Sequence, residues 1–203
     1  MSDYYTNKGQ AVFGAVCPGR TLIVFSGKRL RRVSSLCAPL FALKPMMWVS
    51  ALSALIILAT MLPMILSEDR FLPRSGIEQA IALLIALTTL VAHEIGHAAA
   101  AVRHGHEPVQ IGLVLYRRLF PAMFSDTRHR APPSRYEVIT IALAGCTAQL
   151  ILAAILCLLI LVLPGAIGVL SMAALATVGL SLAQLIPCHG SDGAVAIAAL
   201  RSE

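Results

Sequence analysis

Four apolar stretches, residues 46–67, 77–102, 138–164 and 166–186, occupy nearly half of this 203-residue chain and leave little choice of fold. Each reaches the ~20 residues a helix needs to cross ~30 Å of hydrocarbon. Pro164-Gly165 divides the last long run into two helices joined by a tight turn. Charged residues make up 13% of the chain, and mean hydropathy is +0.80; a soluble domain carries about 25% charged residues. The expected fold is an all-α integral membrane bundle of about four transmembrane helices, because a helix satisfies its own backbone in lipid.

The basic residues orient that bundle. Residues 1–45 hold Lys8, Arg20, Lys28, Arg29, Arg31, Arg32 and Lys44 against Asp3 alone, and residues 103–136 hold six arginines. The loop 68–76 has Arg70 and Arg74, offset by Glu68 and Asp69. With Arg201 in the tail, fourteen basic groups fall on one side and two on the other. Basic loops stay cytoplasmic, so both termini are expected in the cytoplasm of a multi-pass protein. The net charge of +6 does not point to nucleic acid, since no aromatic residues are interleaved with the basic blocks as a base-stacking surface requires. The first apolar run begins near Met46, behind a long basic segment, and reads as a retained anchor rather than a secretory signal. Cys17, Cys37, Cys146, Cys157 and Cys188 form no C-x-x-C spacing and no disulfide framework.

The chain divides into a basic N-terminal segment (1–45), a first transmembrane helix (46–67), a membrane core (77–195) and a short tail (196–203). In the N-terminal segment, two short apolar runs flank Pro18-Gly19 and are expected to form a hairpin within 11–33. Alternation at Val109, Ile111, Leu113 and Leu115 predicts a further strand, suited to pairing with an unwound substrate. These are the expected short β elements of the cytoplasmic segments. Ser125-Asp126 is expected in a loop framing the site.

Within the second apolar stretch stands His93-Glu94-Ile95-Gly96-His97, an H-E-x-x-H motif. Helical positions i and i+4 share a face, so both imidazoles address one ion. Zinc suits neutral imidazole donors, and Glu94 beside the first ligand is placed to take a proton from water. A surface helix with accidental His and Glu is the bland alternative. Its apolar setting argues against that, because each ionisable group at mid-span costs about 2.5–3.5 kcal/mol. A metal offsets that cost. Such a site needs another protein ligand, and His104, His106, Asp126, His129, His189 and Asp192 are candidates. Spans two and four run in the same direction, which brings Asp192 to the depth of His93 and His97. Gly96 reads as a close-packing residue.

The motif, followed far downstream by Gln184-Leu185-Ile186-Pro187-Cys188-His189-Gly190-Ser191-Asp192-Gly193, resembles the site-2 protease family of intramembrane zinc metalloproteases. The resemblance covers about residues 77–195, in a compact form with no appended regulatory domain. It implies a three-helix metalloprotease core holding one Zn²⁺ per chain, with His93, His97 and Asp192 as metal ligands and Glu94 as the catalytic base. It further implies a membrane-embedded or membrane-adjacent protein or peptide as substrate, with a regulatory membrane partner or oligomer as further company. Ala144-Gly145-Cys146 resembles the start of the family's middle core helix, with Cys146 where Pro is common. Gln184 stands where the family usually has Asn, at a position implied to contact substrate. Two other readings are a catalytically inactive homologue that binds a membrane partner, and a metal transporter. Transport needs a polar path, and the first and third spans offer mainly Ser50, Ser53, Thr60, Thr140, Thr147 and Gln149.

Overall fold

The computed structural model describes residues 10–13, 21–66, 72–73, 75–116, 120–129, 132–188 and 191–201, with side chains from residue 26 onward except 114–116 and 120–122. Its order is β1 (Gln10–Phe13), β2 (Thr21–Ser26), α1 (Gly27–Cys37), α2 (Leu43–Leu66), α3 (Gly76–Arg103), β3 (Glu107–Tyr116), β4 (Phe120–Arg128), α4 (Arg135–Val162), α5 (Ile167–Leu185) and α6 (Asp192–Arg201). Helices α2, α3, α4 and the segment Pro164–Leu185 are long and apolar enough to cross a membrane. The chain is a mostly helical, multi-pass membrane protein.

Local chemistry sets the ends of the two helices that matter most. Ser75 accepts a hydrogen bond from the Glu78 amide at 3.2 Å and starts α3. Gly105, at φ +80°, turns the chain out of α3 in a conformation that a side chain would resist. Ser134 and Glu137 form a reciprocal capping box that starts α4 three residues before the apolar stretch itself.

Helix α4 is the central post and packs against α2, α3, α5 and α6. Half of its most apolar stretch is buried, against 11% for α2. Helix α2 instead turns Leu52, Leu55, Leu58, Leu62 and Ile65 outward at helical spacing, the pattern of a lipid-facing stripe. Small residues let α3 and α4 approach closely: Ala99, Ala100, Ala101, Ala144 and Ala148 share one buried cluster. A Cβ on Gly96 would lie 2.5 Å from the Ala144 carbonyl oxygen, so the close-packing expectation for Gly96 holds.

The four strands form one antiparallel sheet in the order β1-β4-β3-β2. The strand expected at 109–115 is present as β3 and pairs with β4 in a hairpin. Three expectations fail here. Among the described residues, the two runs expected to form a hairpin do not pair with each other: β1 pairs with β4 (Phe13 opposite Ser125) and β2 with β3 (Ile23 opposite Gly112), on opposite edges, while the turn at Pro18-Gly19 lies outside the described residues. The longer β3–β4 hairpin offers each short strand a fuller ladder than they could offer each other. Strand β3 is also central, paired with β4 on one edge and with β2 over Gln110–Val114 on the other, so that stretch has no free edge for a substrate strand. Cys17 lies outside the described residues. Ser125-Asp126 belongs to β4 rather than to a loop.

Residues 27–37 of the basic N-terminal segment form α1. Leu30 and Ser34, four apart on one helical face, are buried, and Leu30 packs with Ala98 and Ile111. Part of the N-terminal segment is thus seated on the end of α3 that carries the H-E-x-x-H motif.

Candidate metal centre

His93, Glu94 and His97 lie at 2%, 6% and 2% exposure, on the face of α3 that meets α4. Their spacing puts the two imidazoles edge to face, ring centroids 4.6 Å apart, with the Nε2 atoms 3.0 Å from each other. Asp192, buried at the first residue of α6, closes the triangle. Its Oδ2 is 3.0 Å from His93 Nε2 and its Oδ1 3.4 Å from His97 Nε2. The turn that delivers it is held by Ser191, whose Oγ accepts from the Ala194 amide at 3.2 Å. Gly193 is required there, because a Cβ would run into the Leu185 carbonyl.

The outward nitrogens of both rings are committed. His97 Nδ1 donates to the Ile141 backbone carbonyl at 2.7 Å, and His93 Nδ1 donates to Gln149 Oε1 at 3.1 Å. A carbonyl oxygen only accepts, so Nδ1 of each ring carries a proton, and Nε2 is the atom each neutral ring offers inward as a ligand. Two Nε2 atoms 3.0 Å apart beside a carboxylate are held together by a positive charge, either a proton on one ring or a metal ion between them. Four-coordinate zinc with ~2.0–2.1 Å bonds sets neighbouring donor atoms about 3.3–3.4 Å apart. The observed 3.4 Å matches that spacing, and the two edges of 3.0 Å need to open by about 0.3 Å to reach it. The buried His-Glu-His group can hold a metal ion.

Space around the rings is made by Gly145 of α4. A Cβ there would lie 2.7 Å from His93 Cε1, His93 Nε2 and His97 Cε1. Glu94 Oε2 is buried beside the two imidazoles with no hydrogen-bond partner among the described residues. Cys146 donates its thiol to the Ser181 carbonyl at 3.5 Å and lies 3.9 Å from Asp192 Oδ2, so His93, Cys146 and Asp192 form a second donor group at the same place.

The structure therefore gathers His93, Glu94, His97 and Asp192. It does not bring in Asp126, which is buried in β4, or His104, His106 and His129, which cluster elsewhere. His189 lies outside the described residues. Gln184 is half-buried one residue before the end of α5, while the amide that touches a motif histidine belongs to Gln149. Sequence reasoning placed Gln149 only among span polar residues. Its signal was a buried amide four residues after Gly145, hence on the same helical face. Ala144-Gly145-Cys146 lies well inside α4 rather than at its start. A cleft of about 970 Å³ lined by Thr60, Met64, Leu72, Ile160 and Gly168 touches none of these residues. The donor geometry, rather than cavity size, marks the centre. No family model, curated protein or solved structure matches the chain.

Proposed function

We propose that this chain is a zinc-dependent endopeptidase of the site-2 protease type, hydrolysing peptide bonds of a membrane-embedded or membrane-adjacent protein or peptide. The observation that carries the reading is the convergence of His93 Nε2, His97 Nε2 and an Asp192 carboxylate, with both Nδ1 protons engaged elsewhere. In this reading those three side chains hold Zn²⁺, and the resemblance of the motif and the late Asp-Gly pair supports the same assignment. Bound there, zinc supplies Lewis acidity toward a substrate carbonyl and toward water.

Glu94 accepts the proton of the attacking water and returns it to the leaving amide nitrogen. Its Oε2 takes no hydrogen bond from the described residues, which leaves it open to receive that proton. Gln149 and the Ile141 carbonyl keep the rings from turning. The substrate must unwind locally, since a helical backbone engages its own carbonyls in hydrogen bonds. The basic bias of the loops supports cytoplasmic termini and a centre toward the cytoplasmic end of α3.

A second reading is a metal-holding membrane protein without hydrolytic activity. Cys146 favours it, because a soft fourth donor beside Asp192 would close the coordination sphere against substrate. One experiment decides between them: cleavage of single-span peptides by the purified protein in detergent. Cleavage is expected in the wild type, abolished by chelator and restored by Zn²⁺. Glu94→Gln is expected to retain zinc and to lose at least the roughly 10²–10⁴-fold that a general base contributes. Wild-type turnover by Glu94→Gln rejects the protease reading.

A further inference from the structure

The ends of four elements meet beyond the last turn of α3. His104 closes α3, His106 precedes β3, His129 follows β4, and Glu137 sits in the first turn of α4. None of these side chains belongs to the centre described above.

His106 is 8% exposed, and neither of its ring nitrogens has a hydrogen-bond partner among the described residues. Both nitrogens of His129 and Nε2 of His104 are likewise buried and unpartnered. The His106 and His129 rings pack edge to face with centroids 4.3 Å apart. Glu137 faces the group with both oxygens: Oε2 lies 4.0 Å from His106 Nε2 and Oε1 4.0 Å from His104 Nδ1. At 4.0 Å these are approaches rather than hydrogen bonds. Glu137 Oε2 also accepts from the Ser134 amide at 2.7 Å, which anchors the carboxylate in place. Buried polar groups are ordinarily satisfied, so five orphaned ring nitrogens in one cluster call for a partner of their own.

We propose that His106, His129 and Glu137, with His104 as a fourth donor, form a second metal site for a zinc-class divalent transition ion. Imidazoles with a carboxylate select such ions over Mg²⁺ or Ca²⁺, which prefer all-oxygen shells. Burial lowers the pKa of His104, His106 and His129, the last to about 4, so the rings are neutral and carry free lone pairs at neutral pH. Coordination requires His106 Nε2 and Glu137 Oε2 to close from 4.0 Å to the ~3.3 Å edge of a tetrahedral zinc site, and the His129 ring, packed 4.3 Å away by centroid, to turn one nitrogen toward the same point. Four protein donors leave no open position, which makes the site structural rather than catalytic. The ion ties the end of α3 to the start of α4, the two helices that carry His93, His97 and Gln149, and clips the β3–β4 hairpin to both. This inference does not depend on the protease reading.

The test counts zinc on the full chain in detergent after equilibrium dialysis against Zn²⁺. The wild type is expected to hold about one zinc more per chain than His106→Gln/His129→Gln, and His93→Ala/His97→Ala is expected to keep that second ion. In the His93→Ala/His97→Ala background, Co²⁺ should give the visible bands of a tetrahedral nitrogen and oxygen shell, and adding His106→Gln/His129→Gln should remove them. Equal zinc in the wild type and in His106→Gln/His129→Gln overturns the proposal, and leaves the cluster as neutral, packed histidines. That comparison keeps its force should the His93→Ala/His97→Ala chain fail to fold. Loss of zinc only from the His93 centre would count against the protease reading and leave the second site standing.

Discussion

Gln149 of α4 accepts the Nδ1 proton of His93 across the interface between α3 and α4, 3.1 Å away, and its amide nitrogen lies 3.5 Å from Thr89 Oγ1 one turn earlier on α3. That pairing sets which nitrogen of His93 faces inward. His97 has the same arrangement with the Ile141 carbonyl. Partners of this kind orient a ligating imidazole and raise its basicity, so they act on the metal without touching it.

Replacing Gln149 should therefore weaken metal retention while leaving the helices intact. Gln149→Leu is expected to lower zinc affinity by about 10–100-fold, the usual effect of losing such a partner. Gln149→Glu, which preserves an acceptor, should lose less. Competition with a chromophoric chelator measures both, and wild-type affinity in Gln149→Leu would remove the orienting role.

Asp192→Asn should strip the centre of its one anionic donor. Zinc content per chain is expected to fall sharply, because a carboxylate contributes both coordination and charge balance to the cation. Asp126→Asn should retain zinc, since Asp126 is a buried β4 residue apart from the triangle. The reverse pattern would place the third ligand on the sheet.

Gly145→Ala is expected to displace His93 and His97, because the new methyl would sit 2.7 Å from both rings. Metal binding should be lost with helicity by circular dichroism unchanged. Gly179→Ala in α5, where a Cβ meets nothing within 4 Å, is the matched control and should bind normally. Full zinc occupancy in Gly145→Ala would show that the rings can move aside.

Reporters fused after Glu203 and inserted at Pro132-Pro133 should both respond as cytoplasmic, following the basic bias of the loops. An external signal from either would reverse the orientation proposed for the centre.

Much of this protein is determined by its sequence acting locally. Hydropathy over windows of about 20 residues defines the four spans, and i, i+4 spacing places His93 and His97 on one face of α3. The direction of successive spans brings Asp192 to their level. Each of these properties needs only the residues of one segment and the alternation of crossings. What the tertiary structure decided is which faces meet. Gln149 was visible as a polar residue in an apolar span, but its role depends on the rotation of α4 about its own axis against α3. Gly145 likewise becomes indispensable only where two imidazoles press on it. The Ile141 carbonyl has no side-chain signature at all. The same holds for β1 and β2, whose short runs suit either a mutual hairpin or separate edges until the longer β3–β4 pair is present to receive them. Helical periodicity and hydropathy are carried by neighbours in sequence. Helix rotation, interhelical register and strand partnership arise from contacts between distant segments, and only the packed structure chooses among them.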